Sequence, residues 1–240
     1  MQELETDPSG LFMQTDFLTP EAESRLLDIF ARLEWPSLPG RRSLHYGYTF
    51  SYKTFGIDTD VPFKPFPEWL TPLFPPEETR PPDQVCLQHY PPGAGIPPHV
   101  DTHSAYDQLY ALSLGSPVMM QFRDGGGGGG GGGGTRVELD LPPRSMLRMS
   151  GPSRLHWTHG IRARKTDTLP DGQVRPRGDR WSITFRWLRE RKGEAEEAAC
   201  ECGDERLCDT AQRRRGVQRE YRWEKETKET KETIGEDRRR

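Results

Sequence analysis

Short segments with strand-like alternation recur along most of this chain, and prolines or glycines separate them. Examples are residues 45–52, 84–90, 108–114 and 181–188, which alternate apolar or aromatic side chains with smaller or polar ones. One helix precedes them, because Thr19 is followed by proline and two acidic residues, a typical helix start, and the Trp35-Pro36 pair is predicted to end it. Gly115-Ser116-Pro117 is predicted to form the turn of a hairpin between two of the strands. Many short strands after a single leading helix predict a mainly β fold, a double-stranded β-helix (jelly roll) with the N-terminal helix packed outside.

The composition is uneven along the chain, with 32% hydrophobic and 30% charged residues overall, so part of it is not expected to pack into a core. Residues 1–8 are polar and predicted to be disordered. Residues 9–192 hold most apolar side chains and predict one domain, in which the ten glycines at 125–134 form a flexible loop. A cysteine-bearing extension at 193–211 and a charged tail at 212–240 follow.

The net charge of −3 argues against strong non-specific binding of nucleic acid by the chain as a whole. The tail is locally basic, with eleven Lys or Arg and seven Asp or Glu. No apolar run approaches a membrane span, and the N-terminus lacks the apolar core of a signal peptide. We therefore expect no membrane association, a cytoplasmic or also nuclear location, and reduced cysteines.

A histidine and a carboxylate stand two residues apart at His99 and Asp101, and His159 follows in a separate predicted strand. Residues two apart in an extended chain point to the same side, so both can reach one metal ion. Two histidines and one carboxylate leave three metal positions open, which is the ligand set of non-heme Fe(II) oxygenases. His103 is a competing third ligand, whereas we expect His156 to be buried or to point away.

Two arginines, Arg180 and Arg186, lie six residues apart in a predicted strand, so their side chains share one face. Arginine binds carboxylates with two parallel hydrogen bonds, and inward arginines on a core strand need acidic partners. A keto diacid beside the metal would supply them. Pairing with an Asp or Glu of the chain is the alternative for Arg180. Tyr90, in the strand before His99, is a candidate donor to the same ligand.

Several of these motifs together resemble a known family. The chain is similar to the AlkB family of Fe(II)/2-oxoglutarate dioxygenases over about residues 9–190, in the segments YPPGAGIPPHVD, SLGSPVMMQF, LPPRSMLRMSGPSRLHWTHGI and RWSITFR. The resemblance implies a jelly-roll oxygenase that uses Fe(II) as its metal and 2-oxoglutarate as its co-substrate.

The resemblance also implies roles for individual residues. Arg180 would bind the distal carboxylate of 2-oxoglutarate, with Arg186 beside it. Tyr90 and Gln88 would contact the co-substrate, although the family usually has asparagine where this chain has Gln88. The implied iron ligands are His99, Asp101 and His159.

Three cysteines, Cys200, Cys202 and Cys208, lie within nine residues after the last predicted strand. Clustered thiols in a reducing compartment suggest zinc, and His103 is available as the fourth ligand, but three exposed thiols are an open alternative. The segments HVDTHSAY and CECGDERLC resemble one branch of the AlkB family, the tRNA wobble-uridine hydroxylases, in which three Cys and one His hold a structural Zn(II). The resemblance assigns these four residues to zinc. Cys86 is expected in the core.

The same branch carries an RNA-recognition motif and a methyltransferase domain, which do not fit in this chain. We therefore expect tRNA or another nucleic acid as a partner, with a separate tRNA methyltransferase. In the segment RRSLHYGY, aromatic rings beside arginines are suited to stack on a splayed base and to hold its phosphates; packed aromatics in a structural strand are the alternative. The candidate contacts are Arg41, Arg42, His45, Tyr46 and Tyr48.

These observations predict an Fe(II)/2-oxoglutarate-dependent dioxygenase that hydroxylates 5-methoxycarbonylmethyluridine at the wobble position of tRNA. One alternative is oxidative demethylation of N-alkylated bases in RNA or DNA, because the same oxidation of an N-methyl group releases formaldehyde. A second alternative is a non-catalytic RNA-binding module on an oxygenase fold. The cysteine–histidine set favours the first function.

Overall fold

The computed structural model describes residues 1–37, 39–51, 56–58, 60–124, 134–189 and 200–217. Its helices are α1 Pro20–Phe30, α2 Pro152–Leu155 and α3 Asp209–Arg214, with a 3-10 turn at Thr71–Leu73. The strands are β1 Gln2–Glu3, β2 Leu11–Gln14, β3 Arg42–Gly47, β4 Phe50–Ser51, β5 Gly56–Ile57, β6 Gln84–Tyr90, β7 Ile96–His99, β8 Ala105–Gly115, β9 Val118–Asp124, β10 Arg136–Leu141, β11 Met146–Met149, β12 Trp157–Ile161, β13 Thr166–Thr168, β14 Val174–Pro176 and β15 Arg180–Leu188.

Most strands belong to two antiparallel sheets. The larger sheet has seven strands in the order β1-β2-β11-β8-β15-β6-β3, and the smaller has four in the order β10-β9-β12-β7. The hairpins β13–β14 and β4–β5 form separate two-stranded sheets. Two opposed antiparallel sheets with non-sequential neighbours confirm the predicted jelly roll.

Buried apolar side chains form two clusters, which explain how the layers hold together. One cluster combines Leu109 of the larger sheet with Phe122 and Ile161 of the smaller sheet, so it fills the space between the sheets. The other joins Phe30 of α1 to Ile183, which lies on the opposite face of the larger sheet. The N-terminal helix is therefore packed outside the double sheet, as predicted.

Helix α1 begins as predicted and ends earlier than predicted. The Thr19 hydroxyl accepts a hydrogen bond from the Ala22 amide at 3.2 Å, and proline occupies the first helical position. The helix stops at Phe30 rather than at the Trp35-Pro36 pair. The indole N–H of Trp35 donates to the Phe30 carbonyl oxygen at 2.9 Å. This carbonyl would accept from a backbone amide if the helix continued for another turn.

The predicted hairpin around residues 115–117 is wrong. Strands β8 and β9 flank this turn but belong to different sheets, so the chain crosses from one layer to the other here. Gly115 has a φ of +77°, and a Cβ at this position would lie 2.6 Å from the Asp179 carbonyl oxygen. The crossing therefore depends on glycine at this corner.

The ends of the chain also differ from expectation. Residues 1–8 were predicted to be disordered, but β1 pairs with β2 and Leu4 packs against the cluster between the sheets. Helix α3 crosses the expected boundary between extension and tail, and the tail beyond residue 217 lies outside the described residues. The glycine tract connects the paired strands β9 and β10, while the flexible loop predicted for it falls mostly on residues 125–133, also outside them.

No helix within the described ranges has the length and apolar character that a membrane crossing requires.

Candidate active site

The three predicted iron ligands lie together at one end of the smaller sheet. Strand β7 ends at His99, which is paired with His159 of β12. Asp101 follows two residues later, and its Oδ1 lies 3.9 Å from His99 Nε2 while its Oδ2 lies 4.0 Å from His159 Nε2. All three ligand atoms are within 4.8 Å of one another. The pairing of two strands therefore brings the residues together from distant parts of the chain.

The chemistry of these donors fits a divalent metal ion. The Nδ1 of His99 lies 2.9 Å from the Pro97 carbonyl oxygen, so an N–H there leaves Nε2 bare toward the cluster, as in metal-binding histidines. Burial, and then the neighbouring His99, lower the pKa of His159 to about 3. The imidazole is therefore neutral at pH 7, which is the form that binds metal. Two imidazoles and one carboxylate suit Fe(II), and Zn(II) or Mn(II) can use the same donors.

Asp101 is held as a carboxylate by the cations around it. Burial by itself raises the pKa of Asp101, but Arg186, His99 and His159 together bring it well below its ordinary value. Nη2 of Arg186 donates to Oδ1 of Asp101 at 3.0 Å. A carboxylate fixed in this way keeps Oδ1 near His99 and directs Oδ2 toward His159.

The two arginines of β15 lie on the inner face of the larger sheet, but they contact different residues at opposite ends of the strand. Arg180 begins the strand and Arg186 lies near its end, about 20 Å away at the rise of an extended chain. Arg186 pairs with Asp101. The expectation that it lies beside Arg180 is therefore wrong, because six extended residues separate the two guanidinium positions.

Arg180 has the properties expected of an anion-binding residue. Its side chain is 3% exposed, Nη2 donates to the Ser113 hydroxyl at 3.0 Å, and the guanidinium lies over the Tyr90 ring at 5.1 Å. Nε and Nη1 are buried without a hydrogen-bond partner. Across the described ranges Arg180 makes no ion pair, so pairing with a carboxylate of the chain is not observed. A buried cation with two unused donor atoms is suited to bind an anionic ligand.

The predicted co-substrate contacts Tyr90 and Gln88 lie next to this arginine on β6. The Tyr90 hydroxyl donates to Gln88 Oε1 at 2.8 Å. Strand β6 is paired with β15, with Tyr90 opposite Arg180. Gln88 thus reaches the tyrosine that covers Arg180, and it also lines the large cavity described next.

A cavity of about 750 Å³ opens beside two of the predicted iron ligands, His99 and Asp101. It is large enough for a nucleoside, since small-molecule sites usually measure about 300–1,000 Å³. Its walls come from the loop after β7, from β3 and β6, and from the cysteine-bearing extension. The residues of most interest here are His99, Asp101, Arg186, Arg41, His45, Gln88, Leu207 and Asp209.

Strand β3 presents only some of the predicted nucleic-acid contacts to this cavity. Arg41 and His45 line it, consistent with the alternation of side chains along a strand. Arg42 points to the other face, where Nη2 lies 2.7 Å from His89 Nδ1. Tyr46 also faces that way and is 7% exposed in the core cluster under α1. The prediction is therefore wrong for Arg42 and Tyr46, because both are used in packing.

Of the two tyrosines predicted to contact nucleic acid, Tyr48 is the accessible one, at 37% exposed. Its ring meets Phe63 edge to face, with the centroids 4.8 Å apart. Thr49 and Phe50, which follow it, line the cavity. Tyr48 therefore lies near the cavity rather than inside it.

His45 has an unusual charge environment for a residue that faces a cavity. Removal from bulk water, followed by the positive charges of Arg186 and Arg41, lowers its pKa to about 4. Its imidazole is therefore neutral at pH 7. It can exchange hydrogen bonds with a base but cannot serve as a cation for phosphates.

The predicted zinc ligands form a second cluster. The ligand atoms of His103, Cys200, Cys202 and Cys208 lie within 4.8 Å of one another, and Cys202 Sγ is 3.4 Å from His103 Nδ1. Hydrogen bonds from Cys200, His103 and Thr210 lower the pKa of the Cys208 thiol to about 3. Cys200 and Cys208 are buried, so three solvent-exposed thiols are excluded, and His103 belongs to this cluster rather than to the iron ligands.

A short segment links the two clusters, and a residue that the sequence reasoning missed holds it. Asp101 and His103 flank Thr102. The guanidinium of Arg154, 1% exposed, donates to the Asp101 carbonyl at 3.1 Å and to the Thr102 carbonyl at 2.7 Å. Asp209 accepts from the His103 amide at 2.9 Å on the other side. Nothing in the pattern around Arg154 indicated this, because its partners lie about fifty residues away.

His156 is expected to be buried or to point away from the metal; it is only partly buried, and it points away from the predicted iron ligands. Its Nδ1 lies 3.3 Å from Asp204 Oδ2, in the cysteine-bearing extension. This contact gives the extension a second attachment to the sheet region, in addition to the cysteine–histidine cluster. Cys86, by contrast, is 2% exposed and lies in β6 as expected.

Comparison with known proteins agrees with this geometry. The model of the 2OG-Fe(II) oxygenase superfamily matches residues 16–186. The chain is 35% identical over 225 residues to the "Alkylated DNA repair protein ALKBH8 homolog" of Arabidopsis thaliana, covering 85% of this chain and 63% of that protein. It is 36% identical over 238 residues to the "tRNA (carboxymethyluridine(34)-5-O)-methyltransferase alkbh8" of Xenopus tropicalis, covering 85% of this chain and 35% of that one.

The chain thus spans about one third to two thirds of the length of these relatives. Among solved structures, OsALKBH1 superposes with a TM-score of 0.52 at 16% identity, covering 77% of this chain and 99% of that one. A 2OG-Fe(II) oxygenase from Burkholderia pseudomallei superposes with a TM-score of 0.50 at 14% sequence identity, covering 75% of this chain and 85% of that one. Those two likenesses concern the fold alone. With the family model covering most of the chain, the protein belongs to the 2OG-Fe(II) oxygenase superfamily and is a dioxygenase of the oxidoreductase class.

Proposed function

We propose that this oxygenase hydroxylates 5-methoxycarbonylmethyluridine at the wobble position of tRNA. The observation that carries the proposal is the buried His103–Cys200–Cys202–Cys208 cluster, two residues from the iron ligand Asp101. The name of the Xenopus relative describes a methyltransferase acting on carboxymethyluridine 34 of tRNA. Methylation of that carboxylate gives the ester that we propose as substrate, so a methyltransferase on this or a separate chain would supply it.

The reaction consumes one dioxygen and one 2-oxoglutarate for each C–H bond oxidised. One oxygen atom enters the substrate as a hydroxyl group, and the other enters succinate as carbon dioxide leaves. Fe(II) held by His99, Asp101 and His159 would supply the activation of dioxygen. The protein supplies binding, orientation and exclusion of water.

Individual residues have separate tasks in this reaction. The unused donors of Arg180 bind the distal carboxylate of 2-oxoglutarate, and the Tyr90 ring covers the guanidinium. Arg186 keeps Asp101 ionised and oriented. Arg41 and His45 face the cavity, where a cation and a neutral imidazole can contact the substrate nucleotide.

We also propose that the cysteine–histidine cluster holds a structural Zn(II). Three thiols and one imidazole with buried ligand atoms match the tetrahedral donor set of structural zinc. Zinc would fasten a segment with little core of its own to the loop that carries Asp101. Metal analysis of Cys202→Ser should show about one zinc fewer per chain than the wild type. Equal zinc content in the two proteins would refute this assignment.

Oxidative demethylation of an N-alkylated base remains a second candidate, because the Arabidopsis relative is named an alkylated DNA repair protein. The two reactions differ in their products: hydroxylation of the ester substituent leaves a stable alcohol, whereas an N-hydroxymethyl group releases formaldehyde. The non-catalytic alternative is disfavoured because both metal-ligand sets and the unpaired donors of Arg180 are present.

The experiment incubates protein, Fe(II), ascorbate and 2-oxoglutarate with tRNA that carries the ester. Mass spectrometry of the nucleosides should show a gain of one oxygen atom, with succinate formed in equal amount. Asp101→Ala should yield neither product. Formaldehyde release from an N-methylated oligonucleotide, without oxidation of the ester nucleoside, would replace the proposal by the demethylase function.

A further inference from the structure

The cysteine-bearing extension contributes directly to the wall of the large cavity. Leu207 and Asp209 line the same 750 Å³ space as the iron ligands His99 and Asp101. Leu207 directly precedes the cluster residue Cys208, so it is adjacent to the proposed zinc site in sequence. The extension therefore does more than brace the fold.

The position of Leu207 is determined by contacts on both of its sides. Its amide donates to Asp204 Oδ1 at 3.1 Å, and Asp204 Oδ2 in turn contacts His156. After it, Cys208 belongs to the metal-ligand cluster, and Asp209 accepts from the His103 amide at 2.9 Å. A side chain on a backbone held this way has a defined place in the cavity.

The side chain of Leu207 has no structural task that explains its apolar character. It is partly exposed and belongs to neither of the two buried clusters among the described residues. When an apolar part of a bound molecule covers an exposed apolar side chain in a cavity, the free energy of the complex is lowered. The cavity is also lined by the apolar side chains of Phe50, Ile96 and Val100, and Leu207 is the apolar lining residue that the extension contributes.

We propose that Leu207 is a specificity-determining residue, which contacts the uracil ring and the apolar part of its 5-substituent. The inference rests on the proposed function, and assigns to the extension a part in choosing the substrate. A substrate without the ester substituent would leave Leu207 partly uncovered and would therefore bind less tightly. Discrimination by a few apolar carbons in a pocket is about tenfold to a hundredfold.

The test compares Leu207→Ala and Leu207→Met with Val217→Ala, an exposed aliphatic position just after helix α3 that does not line the cavity. Each protein is loaded with zinc and with Mn(II) in place of iron. Metal content and melting temperature are measured first. Binding is then measured for two anticodon stem-loops, one with 5-methoxycarbonylmethyluridine and one with uridine at the wobble position. Succinate formation without RNA is followed with Fe(II).

We expect Leu207→Ala to weaken binding of the modified stem-loop about tenfold and binding of the uridine stem-loop much less. Leu207→Met, which conserves volume, should stay within about threefold of the wild type for both. Val217→Ala should match the wild type. Metal content should be unchanged in all variants, because the Leu207 side chain supplies no ligand to either metal-ligand set. RNA-independent succinate formation should be unchanged in Val217→Ala.

Equal preference for the modified stem-loop in the wild type and Leu207→Ala, with metals intact, would overturn the role of Leu207. Loss of zinc in Leu207→Ala but not in Leu207→Met, with normal discrimination restored at full zinc loading, would also overturn it. A wild-type protein that neither prefers nor oxidises the modified stem-loop would instead refute the proposed function. The two failures are therefore distinguishable.

Discussion

At the scale of single residues, the most informative feature is a buried guanidinium in which two nitrogen atoms have no hydrogen-bond acceptor. Arg180 donates one hydrogen bond, to Ser113, and two further donors are unused. A folded protein rarely leaves buried charged donors unsatisfied, since each costs free energy. The arrangement is therefore understandable as one half of an ion pair whose other half is the co-substrate.

Replacement of Arg180 by lysine tests this interpretation. Lysine keeps the charge but loses the planar pair of donors, so the KM for 2-oxoglutarate should rise about tenfold to a hundredfold while iron binding is unchanged. Arg175→Lys is the matched control, because Arg175 makes its two hydrogen bonds to Asp140 away from the site. An unchanged KM in Arg180→Lys would contradict the assignment.

His45 allows a prediction about pH. Its pKa is about 4 in the folded protein and near 6.5 when unfolded, so below pH 6.5 the unfolded chain takes up the proton first. The contribution of His45 to stability is therefore complete above about pH 6.5 and is lost as the pH falls toward 4. His45→Gln should lose less thermal stability than the wild type between pH 7.5 and 5. Identical pH profiles of the melting temperature would show that His45 titrates normally.

At the scale of structural elements, the segment from Asp101 to His103 connects the two metal-ligand sets. Arg154 in α2 holds two of its carbonyls, and Asp209 in α3 holds the His103 amide. Two short helices from distant parts of the chain thus clamp one loop. We interpret α2 and α3 as supports that keep Asp101 directed toward the histidines.

Removal of the Arg154 clamp should therefore weaken metal binding without removing any ligand. Arg154→Met leaves the carbonyls of Asp101 and Thr102 without donors, each at a cost of about 1–3 kcal/mol. Titration with Mn(II) should show weaker metal binding in Arg154→Met than in Arg154→Lys, which retains a hydrogen-bond donor. The control Arg32→Met, at an exposed position, should bind Mn(II) as tightly as the wild type. Equal Mn(II) affinity in all of them would show that the clamp does not position Asp101.

At the scale of the whole molecule, the sequence was most informative where local signals agree. Proline and glycine delimit the strands, and Arg180 and Arg186 follow the even spacing that places side chains on one face of a strand. The jelly-roll class, the N-cap at Thr19 and the strand at residues 84–90 follow from such local rules.

The features that the sequence could not predict depend on closure of the whole fold. The crossing at Gly115 sends β8 and β9 into different sheets, whereas a local turn signal favours a hairpin. Tyr46 looks like a stacking residue, but its ring packs edge to face against Trp69 in the core cluster. Leu207 reaches the cavity only because the extension folds back on the double sheet. Each of these outcomes is set by contacts between residues distant in the chain.

The most direct test of the account is the amount of succinate formed from 2-oxoglutarate with Fe(II) and dioxygen. The wild type and Asp28→Asn, an exposed change on α1, should form succinate at equal rates. Asp101→Asn should lose at least about a hundredfold, because an amide replaces the anionic oxygen ligand of the metal. A wild-type rate in Asp101→Asn, or no succinate from the wild type, would contradict the claim that His99, Asp101 and His159 form the iron site.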